Sequence, residues 1–265
     1  MLQVSRSRYY QYLKTSQQGN SASEQTLLLE IKGLDKLSRS SFGSRQMSKH
    51  LNAKGYAVGR YKVRKLMKKA GISCKQRRRY KVTTDSNHAH AIAANHLNRE
   101  FRVSAPNRVW LTDITYLWTA QGWLYIAAVM DLFSRRIVGW AIDTHMRTEL
   151  VESALEMALC RRHPLSSLMH HSDRGVQYAS HHYQMLLKQA GITVSMSRKG
   201  NCWDNAVIER FWGSLKSERM NHQIYQTREE AKADIIDYIE MFYNCKRLHS
   251  TLNYVTPMQF ENNFS

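Results

Sequence analysis

Three acidic residues stand where a carboxylate could perform chemistry. Asp113 interrupts the apolar and β-branched run Trp110–Tyr116. Asp173 closes a short strand-like run before Gly175, which we expect to allow a sharp exit of the chain. Glu209 lies in a helical pattern, with 35 residues between it and Asp173. Because burying a carboxylate among apolar residues is costly unless a cation compensates its charge, Asp113 needs a positive partner.

A shared metal site is the chemistry that this set predicts. Mg²⁺ prefers a few carboxylates together with water and phosphate oxygens. Two such ions about 3.5 to 4 Å apart activate the attacking oxygen and stabilise the leaving oxygen in phosphodiester chemistry. Taken singly, each residue has a structural explanation: an arginine partner for Asp113, a helix cap for Asp173 and a surface ion pair for Glu209. Their order, setting and spacing together favour catalysis.

A lysine on the same helical pattern is the next candidate. Lys216 follows Glu209 by seven residues, so both side chains project from one face of a helix. A cation there could hold the phosphate backbone beside the metal ions. The alternative is a solvated helix lysine, which is the usual state of this residue type.

The elements that must position these residues are strands followed by alternating helices and strands. Three segments rich in Val, Ile, Trp and Tyr, joined by short turns, predict an antiparallel meander; they are Val109–Trp118, Gly122–Asp131 and Arg135–Ile142. The later pattern alternates helix and strand, in the order Glu149–Arg161, Ser167–Ser172, Ser180–Ala190, Thr193–Ser197 and a helix from about Asn205. This order predicts an α/β fold with a mixed sheet and flanking helices, as in ribonuclease-H-like folds.

The N-terminal part predicts a small all-α helix-turn-helix region. Glu24–Leu37 has the spacing of an amphipathic helix, and Arg45–Ala53 and Gly59–Ala70 follow with a glycine-containing turn between them. The last segment combines an apolar stripe, Tyr61, Val63, Leu66 and Met67, with six candidate DNA-binding cations, Arg60, Lys62, Arg64, Lys65, Lys68 and Lys69. The alternative is a small bundle with a solvated cationic face.

Charge is segregated along the chain. Residues 1–108 contain 23 Lys and Arg against 5 Asp and Glu, a net charge of +18, whereas residues 109–265 contain 16 of each. Nucleic acid is the expected partner, because releasing counterions from phosphates favours a protein that brings many cations. Arg77, Arg78 and Arg79 lie in a basic linker that could follow the DNA backbone. We predict a DNA-binding region and linker over 1–85 and a catalytic core with a C-terminal helical extension over 100–265. A basic surface that serves only solubility is the alternative.

Other classes of protein are disfavoured. No apolar run approaches the roughly 20 residues of a membrane-spanning helix, and the first residues lack the apolar core of a secretory signal. We therefore expect a cytoplasmic, nucleoid-associated protein without a membrane partner. The four cysteines, Cys74, Cys160, Cys202 and Cys245, lack the spacing of a zinc site or a disulfide framework. The histidine pairs at 170–171 and 181–182 also lack a zinc-binding pattern.

Together, these motifs give a chain that resembles the DDE transposases with a retroviral-integrase-like catalytic core, specifically the second-reading-frame (OrfB type) transposases of bacterial insertion sequences. The matching stretches are Trp110–Tyr116, Asp131–Trp140, His171–Tyr178, Asp204–Glu209, Tyr243-Asn244, Arg247–Ser250 and Thr256-Pro257. They cover nearly everything from about residue 105 to the end. Phe42-Gly43-Ser44-Arg45 is a looser version of the signature in the family's helix-turn-helix region.

The resemblance implies a catalytic, metal-binding triad of Asp113, Asp173 and Glu209, with Asp131 outside it. It implies two Mg²⁺ ions, for which Mn²⁺ substitutes, and strand cleavage followed by strand transfer without a covalent protein–DNA intermediate. The implied partners are the terminal repeats of the element, target DNA and further copies of the chain. A longer product made by frameshifting with an upstream reading frame is also typical of the family.

Two alternatives to a transposase remain open from the sequence. One is a ribonuclease-H-like metal nuclease that hydrolyses nucleic acid without joining it. The other is a non-catalytic DNA-binding regulator of transposition. An assay that separates cleavage, joining and binding distinguishes the three.

Overall fold

The computed structural model describes residues 5–7, 9–10, 22–75, 92–164, 167–198 and 202–264. The chain divides into two compact units, 1–75 and 76–265. Arg77, Arg78 and Arg79 lie outside the described residues.

The first unit is built on the helices α1 (Ala22–Ser38), α2 (Ser44–Ala53) and α3 (Arg60–Lys69). Their shared core is apolar and fully or nearly fully buried, and it includes Leu27, Ile31, Leu34, Met47, Leu51, Val63, Leu66 and Met67. The connection between α2 and α3 is fastened by the Val58 carbonyl, which accepts hydrogen bonds from the Ser48 hydroxyl and the Asn52 amide. Placing Tyr61 in the apolar stripe was wrong. Its side chain is 73% exposed, because the α3 stripe at this end passes through Val63.

The second unit is built on a five-stranded mixed sheet. Its strands are β1 (Val109–Thr119), β2 (Gly122–Asp131), β3 (Ile137–Asp143), β4 (Met169–Ser172) and β5 (Thr193–Met196). The spatial order is β3-β2-β1-β4-β5. The first three strands form the predicted antiparallel meander, while β4 pairs in parallel with both β1 and β5. The predicted fold class, a mixed sheet with flanking helices, is confirmed.

Helices cover the sheet where its side chains are apolar. The elements after the meander are α4 (Thr148–Arg162), the single turn α5 (Val176–Ala179) and α6 (His181–Gln189). They bury a core with the inner residues of β1, β2 and β3, among them Trp110, Val129 and Val138. At Gly139 the strand and α4 approach so closely that a Cβ would stand 2.2 Å from the Ala154 carbonyl oxygen.

The remaining helices form the C-terminal extension. They are α7 (Ala206–Glu218), α8 (Arg228–Ile236), a π-helix (Asp237–Tyr243) and α9 (Pro257–Asn262), with short 3-10 helices at Cys202–Asn205, Met220–His222 and Ser250–Leu252. Asn244 ties the π-helix to the sheet, because its side chain accepts from the Ile137 N–H and donates to the Ile137 carbonyl. None of the helices in the described ranges has the length and hydropathy to cross a membrane.

Candidate active site

The register of the sheet brings the two aspartates together. In the parallel β1–β4 ladder, Val109 pairs with Met169 and Leu111 pairs with His171. Continued by two residues, the same register sets Asp113 opposite Asp173, at the point where β4 has ended. Neighbouring strands lie about 4.8 Å apart. Both residues are half-buried, and both line one cavity beside the continuation of β1.

Asp113 lies in an environment that opposes its negative charge. Burial raises its pKa well above the usual range, and the nearby carboxylates of Asp173 and Glu209 raise it further. A hydrogen bond from the Ile114 N–H to Oδ1, 2.9 Å long, acts in the opposite direction. Because like charges gathered in a low-dielectric site destabilise one another, this arrangement favours binding of a cation.

Asp173 is held by the chain that follows it. The Gly175 N–H donates to Asp173 Oδ1 over 2.9 Å. The predicted reason for the glycine was wrong: its φ of −60° is open to any residue. A Cβ at this position would instead stand 3.0 Å from Asp173 Oδ1 and 3.2 Å from Gln177 Oε1. The glycine is therefore needed for close approach to the carboxylate.

Glu209 reaches the site from the first turn of α7. The start of this helix is tied to β1, because the Asn205 amide donates to the Thr112 carbonyl over 3.3 Å. Burial raises the pKa of Glu209, and the Asp173 carboxylate raises it further. The three acidic residues therefore lie within electrostatic range of one another, although they come from β1, the end of β4 and α7.

A complete metal-binding cluster is not formed in the described part of the chain, where no three His, Cys, Asp or Glu residues are grouped closely enough to hold one ion. Asp113 and Asp173 line the common cavity, whereas Glu209 is not among its lining residues. The donor set itself suits Mg²⁺, because it consists of carboxylate oxygens whose mutual repulsion a divalent cation would offset. The shared metal pair stays a prediction.

Lys216 lies on the same helix face, as its spacing from Glu209 predicts. Its ammonium nitrogen is 5.4 Å from the centre of the Tyr116 ring. Burial lowers its pKa, while the negative charge of Asp113 raises it. A half-buried cation beside the carboxylates is suited to a phosphate group, because its charge is screened less than that of a solvated lysine.

An aromatic wall beside the carboxylates was missed by the sequence analysis. The cavity has a volume of about 350 Å³. Besides the two aspartates and Gly175 it is lined by Ile114, Tyr116, Trp123, Tyr125, Met146, Val176, Gln177 and Tyr178. A signal was present in the sequence: a two-residue turn pairs Trp118 with Trp123 and Tyr116 with Tyr125, so the hairpin carries an aromatic ladder.

Two other acidic residues serve the framework. Asp131 is fully buried, and its carboxylate accepts backbone N–H bonds from Asn107, Phe133 and Ser134. It therefore fixes the connection between β2 and β3. Burial raises its pKa despite these bonds.

Asp204, just before α7, is also fully buried and was not predicted to have a role of its own. It accepts from the Arg99 guanidinium, the Asn95 amide and the Arg198 N–H. Burial acts to raise its pKa, but the bonds and charges of Arg198 and Arg99 outweigh burial and lower it. Asp204 thus anchors the approach to the helix that carries Glu209.

In the first unit, the predicted DNA-binding cations are on the outer surface of α3. All six side chains, Arg60, Lys62, Arg64, Lys65, Lys68 and Lys69, are exposed. Lys69 forms an ion pair with Glu24 at 3.0 Å, and Lys65 lies 4.8 Å from the centre of the Tyr61 ring. The helix therefore has one apolar face toward its neighbours and one cationic face toward solvent.

Comparison with known proteins first defines the class. The description "Integrase core domain" matches residues 103–202 and, through a second model, residues 209–264, and an "HTH-like domain" matches residues 22–80. A chain in the structure of the simian T-cell lymphotropic virus intasome in complex with PP2A regulatory subunit B56 gamma has the same fold, with a TM-score of 0.52 and 16% sequence identity over 88% of this chain and 74% of that chain.

Sequence relatives then define the family. An uncharacterized 31 kDa protein of insertion element IS600 from Shigella sonnei is 42% identical over 98% of this chain and 96% of its own length. The transposase of IS904 from Lactococcus lactis is 40% identical over 90% and 94%. Transposase InsF of IS3A from Escherichia coli is 39% identical over 85% and 78%. The chain belongs to the insertion-sequence transposases with an integrase core domain.

Proposed function

We propose that this chain is a DDE-type DNA transposase that cuts DNA at the ends of its insertion sequence and joins those ends to target DNA. In the first reaction, the oxygen of a water molecule attacks a phosphodiester, and the 3′ oxygen leaves with a proton. In the second, that 3′-hydroxyl attacks a target phosphodiester, whose own 3′ oxygen leaves. The second reaction conserves the number of phosphodiester bonds, so it requires no energy-supplying cofactor.

The observation that carries this proposal is the placement of the carboxylates in a chain of this family: the β1–β4 register sets Asp113 opposite Asp173, and both line one cavity. Asp113, Asp173 and Glu209 come from separate elements, yet Asp173 raises the pKa of both others. Isolated surface carboxylates would not disturb one another in this way, because solvent would screen them.

We assign to these three residues the binding of two Mg²⁺ ions, with Mn²⁺ as an expected substitute. When bound, such ions activate the attacking oxygen and stabilise the leaving oxygen. The chain's own contribution is to hold the carboxylates: β1 fixes Asp113, the Gly175 N–H orients Asp173, and α7 carries Glu209. Lys216 is assigned to a phosphate beside them.

DNA recognition is assigned to the first unit and the basic linker. The exposed cations of α3 supply the contacts to the terminal repeats, and Arg77, Arg78 and Arg79 supply further contacts to the DNA backbone. Two element ends must be brought together for joining, so we propose a homo-oligomer on DNA. A frameshift product with an upstream reading frame is a further form that the family relation suggests.

A cleavage and joining assay tests the proposal. Duplex oligonucleotides carrying the DNA that flanks the gene are incubated with the full chain and Mg²⁺. A joined product supports a transposase, cleavage without joining indicates a nuclease, and binding without either reaction indicates a regulator. EDTA should abolish both reactions.

Substitutions then test the triad. Asp113→Asn, Asp173→Asn and Glu209→Gln should each reduce joining by several orders of magnitude, while circular dichroism shows an unchanged fold. The matched control is Glu156→Gln, which neutralises an exposed carboxylate on α4 and should leave joining unaffected. Undiminished joining by Asp173→Asn would refute its assignment.

A further inference from the structure

The cavity beside Asp113 and Asp173 has the lining of a binding site for a flat, partly polar ring. Its volume of about 350 Å³ lies within the range of small-molecule sites. Its lining combines the two carboxylates with the aromatic side chains of the β1–β2 hairpin. Its rim exposes large apolar side chains, with Trp123 at 44%, Met146 at 45% and Val176 at 43% exposure. Exposed apolar groups collected around a cavity mark a place where a ligand binds.

The aromatic rings meet edge to face and so form a corner. Trp123 and Tyr116 are nearly perpendicular, at 86°, with ring centres 5.1 Å apart. Tyr116 and Tyr125 are tilted by 58°, with centres 6.3 Å apart. A planar ring inserted into such a corner lies against the face of one aromatic ring and the edge of another, both of which are favoured geometries.

A polar group in the same cavity suits a nucleobase. Gln177 is 8% exposed, and its amide nitrogen donates to the Met146 carbonyl over 2.9 Å. This bond fixes the orientation of the amide, whose oxygen lies 3.2 Å from where a Cβ on Gly175 would stand. An amide oxygen held at the cavity wall accepts a hydrogen bond from an amino or ring N–H group.

The charges around the cavity locate the rest of the nucleotide. Lys216 lies over the Tyr116 ring, so a cation stands beside the aromatic wall. Asp113 and Asp173, which we assign to metal binding, line the same cavity. A base in the cavity would therefore keep its own phosphate close to both the aspartates and Lys216.

We propose that this cavity receives one unstacked nucleobase of the DNA strand, immediately beside the phosphate that is cut. The inference rests on the proposed function, because it takes DNA as the substrate of the carboxylates. The base would stack on Trp123 and Tyr125 and would be oriented by Gln177. Extruding it bends the strand sharply and presents the neighbouring phosphate to Asp113 and Asp173.

The test measures coupling between one tryptophan and one base. Binding of the full chain to fluorescent end-bearing duplexes is measured by anisotropy without divalent cations, so that no cleavage occurs. A single abasic residue is placed in turn at each position flanking the scissile phosphate. Trp123→Ala should weaken binding to the intact duplex roughly 10- to 100-fold. When the abasic residue stands at the position of the inserted base, Trp123→Ala should cause no further loss of binding.

Two further variants separate stacking from general damage. Trp123→Phe keeps an aromatic ring and should recover most of the binding. Met241→Ala removes an exposed apolar side chain of the π-helix, which does not line the cavity, and should bind both strands as the parent chain does. Equal losses on intact and abasic strands at every position, or no loss for Trp123→Ala, would overturn the base site.

The outcome is independent of the test of function. If the parent chain joins DNA with Mg²⁺ but shows no coupling between Trp123 and any base, the transposase proposal stands and the base site is wrong. If coupling is found while no strand is cut or joined, the base site stands and the catalytic proposal is wrong.

Discussion

At the scale of single residues, the site depends on small distances around Asp173. The Gly175 N–H donates to its carboxylate, and the absence of a side chain lets the two groups approach. Alanine at this position keeps an allowed backbone conformation but places a methyl group 3.0 Å from Asp173 Oδ1. The carboxylate must then rotate, and displacement of a catalytic group by a fraction of an ångström is costly to the reaction.

We therefore predict that Gly175→Ala lowers DNA joining roughly 10- to 100-fold while the protein stays folded. The measurement is the joining rate at saturating Mg²⁺, with the melting temperature as the check on folding. Gly33→Ala is the matched control, since no atom lies within 4 Å of its added Cβ. Full activity of Gly175→Ala would show that the close approach has no catalytic value.

Buried histidines make the second unit sensitive to acid. His170 is fully buried, its Nε2 pairs with the Tyr183 hydroxyl at 2.9 Å, and burial lowers its pKa to about 3. The unfolded chain binds a proton near pH 6.5, whereas the folded chain does not until about pH 3. Stability is therefore lost as the pH falls below 6.5, and this loss continues until the folded pKa is reached.

Through this titration of His170, the free energy of unfolding of the parent chain should fall by about 2 kcal/mol between pH 7 and pH 5. We predict that His170→Phe lacks this part of the pH-dependent loss. The comparison uses urea unfolding at the two pH values. Loss of the Tyr183 hydrogen bond lowers stability at both pH values alike, so the difference between them isolates the titration. If the free energy of unfolding of the variant falls as much between pH 7 and pH 5 as that of the parent chain, His170 is not held neutral in the folded protein.

At the scale of elements, the packing of β3 on α4 sets the shape of the core. Gly139 faces the helix, and a Cβ there would stand 2.2 Å from the Ala154 carbonyl oxygen and 2.8 Å from Ala158. The backbone oxygen cannot move without displacing the helix. The strand and the helix would have to separate, with voids opening around Val138 and Leu155, which are both buried.

Gly139→Ala should therefore destabilise the second unit by about 3 kcal/mol or more, the upper range for overpacking a core. Chemical denaturation followed by tryptophan fluorescence measures the change. The matched control is Ser153→Ala on the exposed side of α4, which should change stability by less than about 0.5 kcal/mol. If Gly139→Ala leaves the free energy of unfolding unchanged, β3 and α4 must lie farther apart than the 2.2 Å contact of the added Cβ implies.

The elements also show what a sequence can and cannot predict. The meander and the later alternation of helix and strand follow from residue patterns, because the apolar period and the short turns are local. The proximity of Asp113 and Asp173 depends on the parallel pairing of β1 with β4 across many intervening residues. The network around Asp204 joins Arg99, Asn95 and Arg198, which no local pattern relates.

Side-chain direction was the harder problem within elements. Helical spacing correctly predicts that Glu209 and Lys216 share a face of α7, but Tyr61 on α3 is exposed although it is large and aromatic. Aromatic residues in the β1–β2 hairpin were assigned to the strand pattern alone. Their second role as a cavity wall requires the cross-strand register, which pairs Tyr116 with Tyr125.

At the scale of the whole molecule, charge and catalysis lie in different parts of the chain. Residues 1–108 carry the entire excess of 18 positive charges, and residues 109–265 are balanced. A balanced catalytic part gains little from counterion release, so most of the affinity for DNA must come from the basic part. Binding should therefore depend steeply on salt concentration, whereas the chemistry at the carboxylates should not.

The cations of α3 allow this division to be measured. Each lysine or arginine that contacts a phosphate contributes about 0.9 to the slope of the logarithm of affinity against the logarithm of salt concentration. The double variant Arg64→Gln with Lys68→Gln should reduce the magnitude of that slope by about 2. Lys69→Gln, whose lysine is already paired with Glu24, should reduce it by less. If the double variant keeps the slope of the parent chain, α3 does not face the DNA backbone, and the basic linker must supply the contacts.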